Sequence, residues 1–246
     1  MLNHQPIEKV VKTYTGTLDV HSIFQTIQGE GPFCGEPCVF IRLAGCNLQC
    51  PLCDTEYTKG RYNSTPDEII ENVYYLRRVG LVVITGGEPF RQPIGPLLDA
   101  LTDAGYYVQV ETNGTLPPPT LVGDRSYYQR DVSSRPSNRH GVYIVCSPKT
   151  GFVHPDTVAR ACCFKYVLHH TDMSPTDGLP TKALGHVANP QLARPPKGWD
   201  LPIYLQPADT GNEDTNYINL LEVLKNVQTY DGLTLQLQIH KYLGVE

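Results

Sequence analysis

Cys46, Cys50 and Cys53 form a Cys-x-x-x-Cys-x-x-Cys run that brings three soft thiolates onto one short loop. Thiolates select iron–sulfur clusters, zinc and Cu(I) over harder cations. A cubane of four irons held by only three of them keeps one iron open to an exogenous ligand, and that turns an electron store into a reactive centre. Zinc would instead take four nitrogen or sulfur ligands in a structural role, or three and a water in a catalytic one. The spacing favours the cluster, with zinc as the alternative.

Further polar candidates stand directly after short apolar runs, where parallel α/β folds place their ligands. Run 39–43 feeds the cysteine loop, 81–84 feeds Thr85-Gly86-Gly87-Glu88-Pro89, and 106–110 feeds Glu111-Thr112-Asn113-Gly114. Runs 142–145 and 202–205 lead into Ser147-Pro148-Lys149 and Gln206-Pro207. Five loops should therefore meet on one rim. Singly, Asn-Gly is a turn signal and Gly-Gly a strand-ending bend. In company, adjacent glycines let a ligand approach the backbone and Glu88 could accept a bond from an ammonium group, features that suit an amino acid moiety. Arg42 alternates with Val39, Ile41 and Leu43, so it shares a face with Phe40. Turned inward, its fork would bind a carboxylate; turned outward, it would be a solvated surface residue. Asp54 and Thr55 offer hard oxygen donors that could hold Mg²⁺, or merely cap the loop.

Six apolar runs position these residues: 39–43, 81–84, 106–110, 142–145, 164–168 and 202–205. Alternating with helical segments, they predict an α/β fold, a single-domain incomplete (β/α) barrel with six mainly parallel core strands and a reduced set of helices. Thr65, Pro66 and Glu68 read as N-cap, first-turn proline and capping-box acid of a helix that buries Ile69, Val73 and Leu76. A second helix begins near Pro93 with Ile94, Leu97, Leu98 and Leu101, and a third near Asn216 with a stripe of Ile218, Leu221, Leu224 and Val227. Alternation of Leu235, Leu237 and Ile239 with Thr234, Gln236 and Gln238 predicts a half-buried last strand. Segments 116–140 and 171–199, rich in Pro, Ser, Arg and Gly, read as insertions or mobile loops within one domain spanning 1–246.

Composition bounds the rest. A chain of 246 residues is long enough for a sizeable core. It has no apolar run of about 18 residues and a polar start, so neither a membrane span nor a signal peptide is expected, and the expected location is the cytoplasm. A net charge of −5 argues against nucleic acid or an anionic membrane as partner. Eight cysteines in a cytosolic chain point to metal rather than disulfides; Cys34, Cys38, Cys146, Cys162 and Cys163 are assigned to packing.

The cysteine run together with Gly86-Gly87-Glu88-Pro89 resembles the radical S-adenosylmethionine superfamily. More narrowly, the chain is similar to the 7-carboxy-7-deazaguanine synthase family. The resemblance runs through Phe24-Gln25-Thr26-Ile27-Gln28-Gly29-Glu30-Gly31, Phe40-Ile41-Arg42-Leu43-Ala44-Gly45-Cys46-Asn47-Leu48, Cys53-Asp54-Thr55 and Val83-Ile84-Thr85. It continues through Glu111-Thr112-Asn113-Gly114-Thr115, Ser147-Pro148-Lys149, Leu205-Gln206-Pro207 and His240-Lys241-Tyr242-Leu243. It covers nearly the whole chain apart from the two insertions.

That resemblance implies a radical ring contraction of 6-carboxy-5,6,7,8-tetrahydropterin to 7-carboxy-7-deazaguanine with loss of ammonia. It implies a 4Fe-4S cluster on Cys46, Cys50 and Cys53, S-adenosylmethionine used catalytically, and Mg²⁺ held by Thr55. Cofactor contacts carry over to Leu52, Cys53, Asp54, Gly87, Ser147, Pro148, Lys149, Gln206, Pro207, Ala208 and Asp209. Substrate contacts carry over to Ile27, Gln28, Gly29, Arg42 and Thr85, with the terminal Glu246 a candidate although Gly244-Val245-Glu246 is not the usual ending. A homodimer and a one-electron donor such as flavodoxin are implied as partners. Two rivals remain. A glycyl-radical activating enzyme shares the cysteine loop, but Gln28-Gly29-Glu30-Gly31 and Asp54-Thr55 argue against it; a zinc-stabilised interaction domain would need no cofactor.

Overall fold

The computed structural model describes residues 3–76, 79–120, 127–133, 140–186 and 191–245. Its order is β1 (Leu18–Ile27), β2 (Pro37–Leu43), β3 (Tyr62–Ser64), α1 (Pro66–Leu76), β4 (Leu81–Gly86), α2 (Gly95–Asp103), β5 (Tyr107–Thr112) and β6 (Gly141–Cys146). Then come α3 (Pro155–Arg160), β7 (Ala161–Leu168), β8 (Ile203–Pro207), α4 (Glu213–Thr229), β9 (Leu233–Leu235) and α5 (Ile239–Leu243). The strands form one open sheet in the order β3-β1-β2-β4-β5-β6-β7-β8-β9. From β2 onward every pairing is parallel, while β1 is antiparallel to both its neighbours. The six expected strands are β2, β4, β5, β6, β7 and β8, and the incomplete barrel stands. No helix among the described residues is long and apolar enough to cross a membrane.

Period-two alternation gives the sheet two different faces. Val39, Ile41, Leu43, Val82, Ile84, Val108 and Val110 pack outward on α1 and α2 through Ile69, Val73, Leu97, Leu98 and Leu101. The opposite face holds Phe33, Cys38, Leu81, Val83, Tyr107, Tyr143, Val145 and Cys163, with Phe40 against them. Arg42, two residues beyond Phe40, therefore lies on this inner face. The capping box forms as read: Thr65 Oγ1 accepts from Glu68 N at 3.3 Å and the Glu68 carboxylate accepts from Thr65 N at 2.8 Å. Leu76 is the departure there, 40 % exposed.

Three expectations fail for identifiable reasons. The last strand ends at Leu235 and Ile239 begins α5, because Gln236 and Gln238 turn into the protein to bond Gly31 and Glu30. On α4, Ile218 and Leu221 are exposed while Asn219 and Asn226 are buried. The asparagines face inward because Asn219 donates to Ala208 O at 2.8 Å and accepts from His170 N at 2.8 Å, and Asn226 donates to Gly178 O at 3.1 Å. The described residues of the insertion, 171–186 and 191–199, are packed rather than loose: they bury Leu179 and Leu192, clamp Arg194 on Asp177 at 2.6 Å, and set Trp199 edge-on to Phe164; in the other insertion, 116–140, residues 121–126 and 134–139 lie outside the described residues.

Candidate active site

The cysteine loop leaves β2 with its thiols turned away from water. Cys46 and Cys50 are buried, Cys53 is half-buried, and all three are free. Burial pushes the thiol of Cys46 up to about 12 and that of Cys50 to about 11, and raises Cys53 as well; the Cys53 thiolate also makes Cys46 and Cys50 costlier to ionise, and Cys50 adds to the effect on Cys46. Metal uptake must therefore displace protons, as thiolate ligation does. Three cysteine thiols on one sheltered loop fit a cluster, which spreads its ligands over separate irons.

Two segments that no motif announces grip this loop. On one side the N-terminal stretch laces along it: Asn3 N donates to Pro51 O at 2.8 Å and its side chain to Cys50 O at 3.1 Å. Gln5 donates to Thr55 O and accepts from Tyr57 N, both at 2.8 Å, and Glu8 N donates to Cys46 O at 2.7 Å. On the other side the packed insertion arrives, with Leu52 N donating to Leu184 O at 2.9 Å and His186 Nε2 lying 3.1 Å from Cys50 Sγ. Polar residues in an aperiodic leader carry no pattern from which such a role could be read.

Gly86-Gly87 is needed by the protein's own backbone. A Cβ on Gly86 would lie 2.1 Å from Leu43 O, and one on Gly87 2.0 Å from Gly45 O. Only glycines let the turn after β4 pass against the start of the cysteine loop, where Gly87 N donates to Leu43 O and Glu88 N to Gly45 O. Glu88 is corrected from ammonium acceptor to structural knot. It is fully buried, and its carboxylate accepts from Phe90 N at 3.0 Å, Thr112 Oγ1 at 2.7 Å and Asn113 N at 2.8 Å. Asn113 in turn donates to Asn47 Oδ1 at 3.0 Å, so the loops after β2, β4 and β5 form one hydrogen-bonded unit.

The inner face changes character along the strands. Apolar side chains fill its lower part, and toward the C-terminal ends come Arg42, Thr85, Glu111 and Lys165. Register sets Arg42 opposite Thr85, and the Arg42 guanidinium lies 5.2 Å from the centre of the Phe24 ring. Glu111 accepts from Gln28 at 3.1 Å and Gln109 at 3.0 Å, with Thr85 Oγ1 at 3.5 Å. Lys165 pairs with Glu30 and lies 3.9 Å from Glu111. Burial works against the Glu30 charge, but the Lys165 ammonium overcomes it and holds the carboxyl down at about 2. Gln28 is buried at this layer, and Ile27 and Gly29 flank it.

Other expected cofactor contacts ring the same rim. Lys149 Nζ donates to Ser147 O at 3.0 Å and Ser147 Oγ at 2.5 Å, and burial pushes its ammonium down. Gln206 is buried and donates to Gln236 at 3.0 Å. Pro207, Ala208 and Asp209 line a cleft of about 370 Å³ whose far wall is Gln238, Lys241 and Tyr242. Lys241 spans it, 3.4 Å from Asp54 and 3.5 Å from Asp209. Asp54 is exposed and accepts from the Thr55 hydroxyl at 3.4 Å, and Leu52 is 56 % exposed. Glu246 lies outside the described residues.

Residues 40–123 match the Radical SAM superfamily. Over 241 residues the chain is 39 % identical to the 7-carboxy-7-deazaguanine synthase of Rhodospirillum rubrum, covering 93 % of each protein. It is 34 % identical to the 7-carboxy-7-deazaguanine synthase of Rickettsia prowazekii, covering 100 % of this chain and 96 % of that one. Its fold is like that of the crystal structure of QueE from Escherichia coli, with a TM-score of 0.58 at 21 % identity over 89 % of this chain and 94 % of the other. Matched nearly end to end at these identities, the chain belongs to the 7-carboxy-7-deazaguanine synthase family of the radical S-adenosylmethionine superfamily.

Proposed function

We propose that this protein converts 6-carboxy-5,6,7,8-tetrahydropterin to 7-carboxy-7-deazaguanine with release of ammonia. The observation that carries the reading is near full-length likeness to two named synthases, joined to a sheltered three-cysteine loop at the polar rim of the sheet. Cys46, Cys50 and Cys53 would hold a 4Fe-4S cluster, and S-adenosylmethionine would lie against Leu52, Cys53, Asp54, Gly87, Ser147 to Lys149 and Gln206 to Asp209. When bound, these groups supply a one-electron cleavage that delivers a hydrogen-abstracting radical.

The chain's own share is orientation and shelter. Arg42, held on the inner face beside Phe24, offers a bidentate fork to the pterin carboxylate. Ile27, Gln28, Gly29 and Thr85 border the same space, where Glu111 presents acceptor oxygens to ring N–H groups. The apolar floor of Phe33, Val83 and Tyr143 excludes water below them. Thr55 would be the protein ligand for Mg²⁺, through its hard hydroxyl oxygen. An external one-electron donor such as flavodoxin completes the system. A homodimer accounts for the exposed apolar side chains of Tyr217, Ile218 and Leu221 on α4 and Tyr242 and Leu243 on α5.

Anaerobically purified protein given the carboxy-tetrahydropterin, S-adenosylmethionine and a reductant is expected to form 7-carboxy-7-deazaguanine and ammonia in equal amounts. No ammonia from the pterin, with a partner protein's glycine oxidised instead, would point to an activating enzyme. Zinc without iron or sulfide would leave only an interaction domain.

A further inference from the structure

We propose that His186, on the insertion between β7 and β8, donates a hydrogen bond from Nε2 to the Cys50 sulfur in the cluster-bearing enzyme and thereby raises the cluster's reduction potential. This rests on the assignment of Cys50 as a cluster ligand.

The insertion is shaped to deliver that contact. Leu184 adopts φ of +48°, a left-handed conformation that a leucine rarely takes, and its carbonyl meets Leu52 N at 2.9 Å. Such strain persists only where the surroundings over-determine it. Gly185 comes next with φ of +76°; a Cβ there would stand 3.1 Å from Leu52 Cγ and 3.3 Å from Pro51 Cβ. His186 N then donates to Ala183 O at 3.0 Å, closing a tight turn that holds Nε2 3.1 Å from Cys50 Sγ. Ala183, Leu179 and Leu192 anchor the turn in the core, and Arg194 on Asp177 braces its base.

Chemistry fixes the direction of the bond. A thiolate on iron has no proton, so the contact requires the tautomer with hydrogen on Nε2. Hydrogen bonds to ligating sulfur are among the features that set a cluster's potential, and a donated proton favours the more negative, reduced state. His186 touches a ligand and not the reacting atoms, so it is a positioning residue.

Anaerobically reconstituted full-length protein and its His186→Ala and His186→Gln variants test this by redox titration followed by EPR. With iron and sulfide per chain unchanged, His186→Ala should show a tenfold higher oxidised-to-reduced ratio at a fixed potential, a 59 mV negative shift for a one-electron couple. His186→Gln, which keeps an N–H donor, should recover part of it. A fully loaded His186→Ala that titrates with the wild type overturns the proposal. Pulsed EPR of wild-type protein carrying ¹⁵N-histidine needs no variant: a weakly coupled nitrogen with an exchangeable proton is expected. No histidine coupling, or the strong coupling of a nitrogen bound to iron, overturns it. Wild-type protein that takes up no iron and sulfide fails at the cluster itself, and is told apart by metal analysis before any titration.

Discussion

The cysteine loop and the C-terminal segment stand on the same rim, yet they are held by different kinds of force. The loop is laced by backbone bonds from both sides and by the Asn3 and Gln5 amides, pressed against Gly86-Gly87 and tied through Asn113 to the buried Glu88 knot. The C-terminal segment is held by side-chain amides, by Ile239 N on Gly29 O at 3.3 Å, and by Lys241 between two partly exposed aspartates. Hydrogen bonds between neutral groups are insensitive to salt, whereas exposed ion pairs are screened over about 10 Å at 0.1 M. The side that carries the cysteines is therefore held by salt-insensitive bonds, and the C-terminal side is closed in part by weaker, tunable contacts.

Four substitutions probe that contrast. Cys50→Ala should abolish cluster assembly and turnover while leaving the fold, because the core strands do not depend on the thiol; normal turnover with a full iron count would remove the metal assignment. Glu88→Ala strands Phe90 N, Thr112 Oγ1 and Asn113 N in a buried place. At 1–3 kcal/mol per unsatisfied group, the three together amount to roughly 3 to 9 kcal/mol, so a loss of at least about 3 kcal/mol is expected in urea unfolding. A change under about 1 kcal/mol would mean that the three loops do not act as one unit. Arg42→Ala should weaken pterin binding by roughly 1.5 to 3 kcal/mol, the scale of hydrogen bonds to charged groups. Equal affinity by anaerobic calorimetry would place Arg42 outside the pocket. Lys241→Ala should cost about 0.2–1 kcal/mol of stability, with the difference vanishing in high salt. A larger, salt-independent loss would show that the C-terminal side is as firmly built as the loop.

Much of this was legible in the residues. Six strands came from apolar runs, the start of α1 from Thr65, Pro66 and Glu68, and the shared rim from the polar residues at the end of each run. Single-chain periodicity could not give what long-range bonds decide. β1 escaped because a register shift between Val20 and Ser22 breaks its alternation. The α4 stripe was misplaced because Asn219 and Asn226 bury themselves to satisfy loop carbonyls, and the final strand because Gln236 and Gln238 do likewise. At the site, the Gly-Gly-Glu turn was recognised but its mechanics were not: only the approach of Leu43 and Gly45 reveals what the glycines avoid. His186 stands 136 residues from Cys50 and no spacing rule links them.

Because residues 3–8 stitch onto the cysteine loop and α5 folds back on Gly29, both described ends of the chain belong to the working end of the barrel. A fusion spliced in beside residues 3–8 or beside α5 would press on the cysteine loop or on Gly29. The turn at Gly105, where nothing lies within 4 Å of an added Cβ, sits at the entrance to β5 on the opposite end of the sheet and is the better place to splice one in.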